Sequence, residues 1–506
     1  MRAEGSGSGG WGLPCDLVGY PGGQGRRDRA GPEQGRIIRR RRAGLRGGYR
    51  VQDRTLIRRQ ETVDKELGRL LGTRFNCECG RQHELPVREF VYEAGAIEAL
   101  GPLIERCTGG VRRVAVVADT RTQAVGGAAV GDMLADAGYD VESILIADVH
   151  DKSPKCDDET FQTLRRAIGS RKPHLVVAVG SGVVNDLSKW VSFDLGLPYM
   201  VVATAASMNG YSAANVAPTV EGVKTLIEAR PPLAVLARPT LIAAAPAEMT
   251  AAGFGDTIAK FFSRADWVTN TLLLDEYYCP FCACLIERFE HLFLTRPADI
   301  AEGKAEAIDG LFEALFWAGV AMTLVGTSAP ASGGEHLLSH TLDMVADTRG
   351  WGHDLHGRQV GLGTLLAAAL YDRLLSIERP TVAEPPAQID RPWWANERIA
   401  DAVAAQYQAK QPVYRLAAER IRDGRFWESL RGCIGPIVIA PGRIRQWLTD
   451  VGGAARAADV GRTPDEFRQA ILHAHEMRKR FSIIDFAWLV GILPGAVDEI
   501  VEQWFV

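Results

Sequence analysis

The sequence predicts an α/β nucleotide-binding domain followed by an all-α domain, and three observations carry that expectation. Between residues 111 and 205, short β-branched runs alternate with stretches of helical period. Beyond residue 236, strand-like runs give way to long segments with apolar residues three and four apart. A glycine-rich turn, "GSG", sits where an apolar run meets a helical one. The chain has 506 residues, 46% hydrophobic and 24% charged, enough to bury more than one core. Its net charge of −4 is small for this length, so no overall field favours nucleic acid or a membrane surface, and small-molecule partners are expected.

Residues 1–60 read as a disordered tail, because "GSGSGGWG", "PGGQGRRDRAG" and "RRRRAGLRGG" hold too few apolar side chains to offset the entropy of ordering. Arg39 to Arg42 read either as a nucleic-acid or targeting patch or as part of a solvated tail. Residues 61–235 form the α/β domain. "VRRVAVVADT" (111–120), "VESILIA" (141–147), "PHLVVAVGSG" (173–182) and "LPYMVVATA" (197–205) are its strands, and "GGAAVGDMLADAG" and "DETFQTLRRAIGSR" its covering helices. Residues 236–506 predict helices at 247–267, 300–326, 333–347, 357–378, 396–423 and 463–503, with the proline-rich 378–394 as a surface connection. There is no secretory signal at the start and no apolar run long enough to cross a bilayer, so a reduced, cytoplasmic enzyme is expected. Nothing in the sequence fixes the oligomeric state, and a homo-oligomer stays open.

Nine cysteines are scattered through the chain. "CECGRQH" (Cys77, Cys79, His83) and "CPFCAC" (Cys279, Cys282, Cys284) are the densest clusters. Each lacks the second ligand pair nearby that a structural zinc requires, so neither is expected to hold a metal.

Two regions carry chemistry. Gly180, Ser181 and Gly182 precede a helix that bears Val183, Val184, Asp186 and Lys189. Such a turn is either a phosphate cradle at a helix N-terminus or an ordinary tight turn. A second strand end, "VVATAASMNGY", brings Thr204, Ser207 and Asn209 to the same edge. The stretch 333–357 holds His336, His340, His353 and His356 out of ten histidines. His336 and His340 share a helix face, but Glu335 precedes the pair, so the zinc-peptidase order is absent. With Asp256 near the start of another helix, two of these imidazoles make either an open divalent-metal site or a hydrogen-bonded polar cleft.

"GSGVVNDLSK", "TAASMNGYSA", "GVKT", "AAGFGDTIAKFFSRADW", "ASGGEHLLSH", "LHGRQVGLGTLL" and "RKRFSIIDFAWLVGIL" stand in the order and spacing of the sn-glycerol-1-phosphate dehydrogenases. From about residue 65 to 503 the chain resembles that family of the iron-containing alcohol dehydrogenase and dehydroquinate synthase-like superfamily. The resemblance implies NAD or NADP and one divalent metal, usually zinc, with nickel or iron in some relatives. It makes Asp256, His336 and His356 the metal ligands and His340 a substrate-facing imidazole, leaving His353 as a surface or supporting group. It places Asp119 at the adenosine ribose and lines the cofactor with Gly180, Ser181, Gly182, Val183, Val184, Thr204 and Ser207, with Asp186 on the same helix. The implied reaction reduces dihydroxyacetone phosphate to glycerol 1-phosphate, a step of phospholipid biosynthesis, with Lys224 as a phosphate contact. The chain departs from the family's pattern at Asn209, where an aspartate meets the substrate, at Ala203 and Ala213, and at Arg121, a residue able to meet a 2′-phosphate. Another phosphorylated, phosphonate or cyclitol substrate, a dehydroquinate synthase-like cyclase and a catalytically silent binding protein are the alternatives.

Overall fold

The computed structural model describes residues 67–149, 153–394 and 396–506, so the expected tail and Arg39 to Arg42 lie outside the described residues. A small antiparallel hairpin comes first, β1 (Arg74–Asn76) with β2 (Gln82–Glu84). Six parallel strands follow: β3 (Glu89–Tyr92), β4 (Arg113–Asp119), β5 (Asp140–Ile146), β6 (Leu175–Gly180), β7 (Tyr199–Ala203) and β8 (Ala234–Ala237). Their order across the sheet is β3-β8-β7-β6-β4-β5. Every residue of β6, β7 and β8 is buried, which is why β6 and β7 read as unbroken apolar runs rather than as an alternation.

Alternate residues of the strands, Val114 and Val116, Val177 and Val179, Met200 and Val202, build one core with Leu100 and Ile104 of α1 (Leu100–Thr108) and Val130 and Leu134 of α2 (Ala128–Asp136). Burying each such side chain contributes about 1.5–3 kcal/mol. Helix α3 (Asp158–Arg171) matches its predicted span, capped where the Asp157 carboxylate accepts from Thr160 N at 2.9 Å. From β4 the chain goes outward to β5 and then returns to β6 on β4's other side. The carboxyl ends of β4 and β6 therefore flank a topological switch point, the crevice where such sheets bind ligands. At that crevice α4 (Gly182–Asp194) begins.

The second half is helical. The expected helix 247–267 is two, α5 (Ala247–Ile258) and α6 (Lys260–Leu274), meeting at Ala259. Then come α7 (Pro280–Glu287), α8 (Ala305–Val325), α9 (Gly334–Arg349), α10 (His356–Ser376) and α11 (Glu397–Ile421). The expected helix 463–503 is three, Pro464–Ala474, Ile483–Leu489 and Val497–Trp504, interrupted where Arg478 (φ 48°) and Gly491 (φ 73°) take left-handed backbone. Apolar spacing runs through these breaks because all three pieces bury faces, so periodicity alone could not show them. Against expectation, α8 has the length and mean hydropathy (1.5) of a membrane span, but 83% of that window is buried, as in a core helix.

Glycines set how closely these helices approach. A Cβ on Gly357 of α10 would lie 1.9 Å from the Ala252 carbonyl oxygen of α5, and one on Gly363 would lie 2.0 Å from that of Glu335 on α9. Larger residues there would push apart the three helices that carry Asp256, His336 and His356.

Candidate active site

Those three side chains converge. Their ligating atoms all lie within 4.8 Å of one another, with His336 Nε2 at 3.6 Å from Asp256 Oδ1. Neighbouring groups fix each one. Glu335 Oε1 sits 2.8 Å from His336 Nδ1 and also accepts from Gly333 N at 2.6 Å. Ser339 Oγ is 3.2 Å from His356 Nδ1. Both imidazoles thus have Nδ1 engaged and Nε2 left to face the cluster, the arrangement that orients metal-bound histidines. Asp256 is gripped by Lys260 Nζ, which donates to its Oδ1 at 3.0 Å, to its carbonyl oxygen at 2.6 Å and to Ala331 O at 3.1 Å.

Burial acts on Asp256 to raise its pKa, but Lys260 and His336 outweigh it and hold the carboxyl well below the usual range. Burial, reinforced by His336, pushes His356 down to about 4. Burial, then the charge of Arg478, holds His340 well below the ordinary histidine value. Burial acts to lower the His336 pKa as well, but Asp256 and Glu335 outweigh it and raise it above the ordinary histidine value. A carboxylate with two imidazole nitrogens turned toward it is the donor set of an open divalent-metal site, so the residues fit the implied ion.

His340 stacks on His356 with ring centroids 5.6 Å apart, and its buried Nδ1 has no hydrogen-bond partner among the described residues. Asn209 does not hang free toward a substrate. Its backbone N donates to Asp256 Oδ2 at 2.9 Å and its Nδ2 to Oδ1 at 3.1 Å. Lys224 is likewise engaged, 3.4 Å from Asp343, while His353 Nδ1 lies 3.8 Å from the same carboxyl group.

At the switch point, Asp119 ends β4 and accepts from Thr122 N at 2.7 Å, while Arg121 pairs with Asp148 at 2.5 Å and with Asp119 at 3.4 Å. Gly180 ends β6 against Val184, whose Cβ would be 2.5 Å from any added at Gly180. Gly182 is different. A Cβ there would meet nothing nearer than Met208 Cγ at 4.0 Å, so this glycine faces open crevice at the amide end of α4, suited to a pyrophosphate. Val183 is half-buried at the same turn, and Asp186 accepts from Asn185 Nδ2 at 2.9 Å. Thr204 N donates to Gly180 O at 3.3 Å.

The loop after β7 joins the two sets. The Ser207 and Ser181 hydroxyls are hydrogen-bonded, and two residues later Asn209 holds Asp256, so one short segment ties the cofactor crevice to the carboxylate. Four contributors escaped the sequence reading: Lys260, Glu335, Ser339 and Arg478. Lys260 and Glu335 stand inside the quoted motifs, at i+4 from Asp256 and next to His336, which was the available signal. Arg478 has a buried Nη2 with no hydrogen-bond partner among the described residues, and its only hint was the basic run "RKR".

The family model described as iron-containing alcohol dehydrogenase matches residues 91–246. The glycerol-1-phosphate dehydrogenase (NAD(P)+) of Geobacillus stearothermophilus is 30% identical over 413 residues, covering 81% of this chain and 95% of that protein. The enzyme of the same name from Thermococcus kodakarensis is 36% identical over 260 residues, covering 51% of this chain and 70% of its own. The crystal structure of a probable glycerol dehydrogenase from Sinorhizobium meliloti superposes with a TM-score of 0.53 at 19% identity, over 82% of this chain and 95% of that one, a likeness of fold.

Proposed function

The chain belongs to the glycerol-1-phosphate dehydrogenase family and is an NAD(P)-dependent oxidoreductase, and from that premise we propose that it interconverts dihydroxyacetone phosphate and sn-glycerol 1-phosphate using a divalent ion. The observation that carries this reading is the convergence of Asp256, His336 and His356 at a site joined through Ser207 and Asn209 to the switch-point crevice. When bound, the nicotinamide would supply a hydride and the ion, zinc, nickel or iron, would supply Lewis acidity toward a ketone oxygen. The protein's own part is placement. Gly182 and the amide end of α4 would receive the pyrophosphate, and Asp119 at the end of β4 would meet the ribose hydroxyls. His340, kept neutral and with Nδ1 unengaged, faces the substrate and exchanges a proton with its oxygen. Arg478 is the cation that meets the phosphate. It keeps an unpartnered buried N–H, whereas Lys224 already has Asp343.

The test is NAD(P)H oxidation on dihydroxyacetone phosphate, with and without zinc or nickel. Turnover that a chelator abolishes and either metal restores is expected. A metal-loaded, folded protein that oxidises no NAD(P)H on any ketose phosphate rules the reading out.

Asn209 carries a second reading, a different phosphorylated, phosphonate or cyclitol ketone. A neutral amide in place of an aspartate alters the charge beside Asp256. Kinetics of Asn209→Asp separate the two. Unchanged or higher kcat/KM on dihydroxyacetone phosphate supports the first substrate, and a ten- to hundredfold fall, about 1–3 kcal/mol, supports the second.

A further inference from the structure

The two cysteine clusters that each lacked a ligand pair in sequence lie together in space. Cys77 and Cys79 sit on the β1–β2 turn, where Gly80 N donates to Cys77 O at 3.0 Å and Gly80 adopts φ 83°. His83 follows on β2, and Cys279 comes from nearly two hundred residues further on, as the residue before α7. The four donor atoms lie within 4.8 Å of one another, with His83 and Cys279 buried. The Cys77 and Cys279 sulfurs are 3.8 Å apart, and His83 Nε2 is 3.4 Å from both Cys79 Sγ and Cys279 Sγ. In a tetrahedron with Zn–S of about 2.3 Å and Zn–N of about 2.0–2.1 Å, those edges are about 3.8 Å and about 3.6 Å.

The imidazole narrows the choice of occupant. His83 Nδ1 lies 2.7 Å from the Leu324 carbonyl oxygen, an acceptor, so Nδ1 carries the proton and Nε2 presents a single lone pair. That one lone pair faces two thiols at equal distance, which a hydrogen bond to one of them leaves half-satisfied and a central cation satisfies for all four donors. A Cys77–Cys279 disulfide would need the sulfurs at about 2.0 Å and would strand Cys79 and His83. We propose that Cys77, Cys79, His83 and Cys279 form a second metal site, a closed zinc site separate from the Asp256 cluster, that clips the β1–β2 hairpin to the helical half. Three thiolates and one imidazole select zinc, and four protein ligands leave no position for substrate, so the site is structural. The Leu324 carbonyl orients the histidine, and Tyr277, with its hydroxyl 3.1 Å from Cys79 Sγ, supports the thiolate.

The inference does not depend on the dehydrogenase reading, and sulfur separates the two sites. Wild-type full-length protein loaded with cobalt should show a thiolate-to-cobalt charge-transfer band, which the sulfur-free Asp256 cluster cannot give. That band should persist in His336→Ala and weaken in Cys79→Ser. Zinc-loaded wild type should hold about two equivalents per chain, of which a thiol-specific mercurial releases one. The proposal is overturned if the cobalt-loaded wild type lacks the band, if the mercurial frees no zinc, or if mass spectrometry finds Cys77 disulfide-bonded to Cys279. The wild-type measurements hold even if Cys79→Ser does not fold.

Discussion

The Asp256 cluster and the Cys279 cluster are both places where distant chain meets, yet they are held in opposite ways. Asp256, His336 and His356 project from α5, α9 and α10, helices locked together by glycine contacts, and each ligand is hydrogen-bonded by a protein group that orients it. The fold shapes that site. The thiol cluster takes three of its four donors from a short hairpin that pairs only three residues on each strand, and beyond one another and His83 the Cys79 sulfur has the Tyr277 hydroxyl beside it. There the ion would supply the order. A site built for chemistry has to keep its geometry with a ligand position open, whereas a structural site needs only to close.

That contrast is broken most directly at the proposed ligands of the Asp256 cluster. His336→Ala should lower kcat/KM by on the order of a thousandfold or more, since several kcal/mol of transition-state stabilisation go with the ion, while the protein stays folded. Steady-state kinetics with far-UV circular dichroism check this, and activity within tenfold of wild type would contradict the ligand assignment.

The thiol cluster should respond in stability rather than rate. Cys79→Ser should cost about 3–4 kcal/mol, the linkage expected when a site saturated 100- to 1,000-fold above its Kd is lost. Well below its Tm, kcat should stay within about twofold of wild type. Denaturant unfolding beside activity at low temperature measures both. A variant with undiminished stability but impaired turnover would reverse the roles given to the two clusters.

Arg478 tests which cation meets the phosphate. Arg478→Met should raise KM by about ten- to hundredfold, the worth of one or two hydrogen bonds to a charged group, with a smaller change in kcat. Lys224→Met should change KM less, because Lys224 is already paired with Asp343. Equal effects would mean that both side chains reach the substrate.

The smallest effect concerns acid. Burial favours a protonated Asp343, but Lys224 prevails and holds its pKa down to about 2. A folded value below the unfolded one of about 3.9 adds stability above about pH 4, lost as pH falls through about 2. Lys224→Ala should therefore raise the acid-unfolding midpoint, by roughly half a pH unit, followed by tryptophan fluorescence. A midpoint that does not move would show that Asp343 owes its ionisation to other neighbours.

Local sequence carried much of this protein's plan. Four of the six sheet strands were legible as apolar runs, and for β4, β6 and β7 the reason is that strands buried on both faces have no alternation to disguise them. β3 and β8, only four residues each, were too short to stand out. Asp256, His336 and His356 were legible as polar residues in helical segments, and the family resemblance singled them out as a set, since spacing alone pairs His336 with His340. Lys260 and Glu335 were visible as residues but not as roles. A lysine four positions after an aspartate is an ordinary helix pair until burial turns it onto the carboxylate and the Ala331 carbonyl. Asn209 stood out as a departure from the family pattern, yet only the fold turned it onto Asp256.

What the sequence determined by itself, then, is what short-range periodicity and motif spacing encode: an α/β half, a helical half, a glycine turn at a strand-to-helix junction and a set of acidic and imidazole side chains whose roles came from the family resemblance. The tertiary structure alone decided which separated segments meet. It set "CECGRQH" against "CPFCAC", turned Lys224 to Asp343 and left Arg478 Nη2 without a hydrogen-bond partner among the described residues. The physical reason is that hydrogen bonding and apolar period act over a few residues and leave a local signature. A contact between Cys77 and Cys279 depends on how sheet and helices pack as wholes, and no window of sequence contains that.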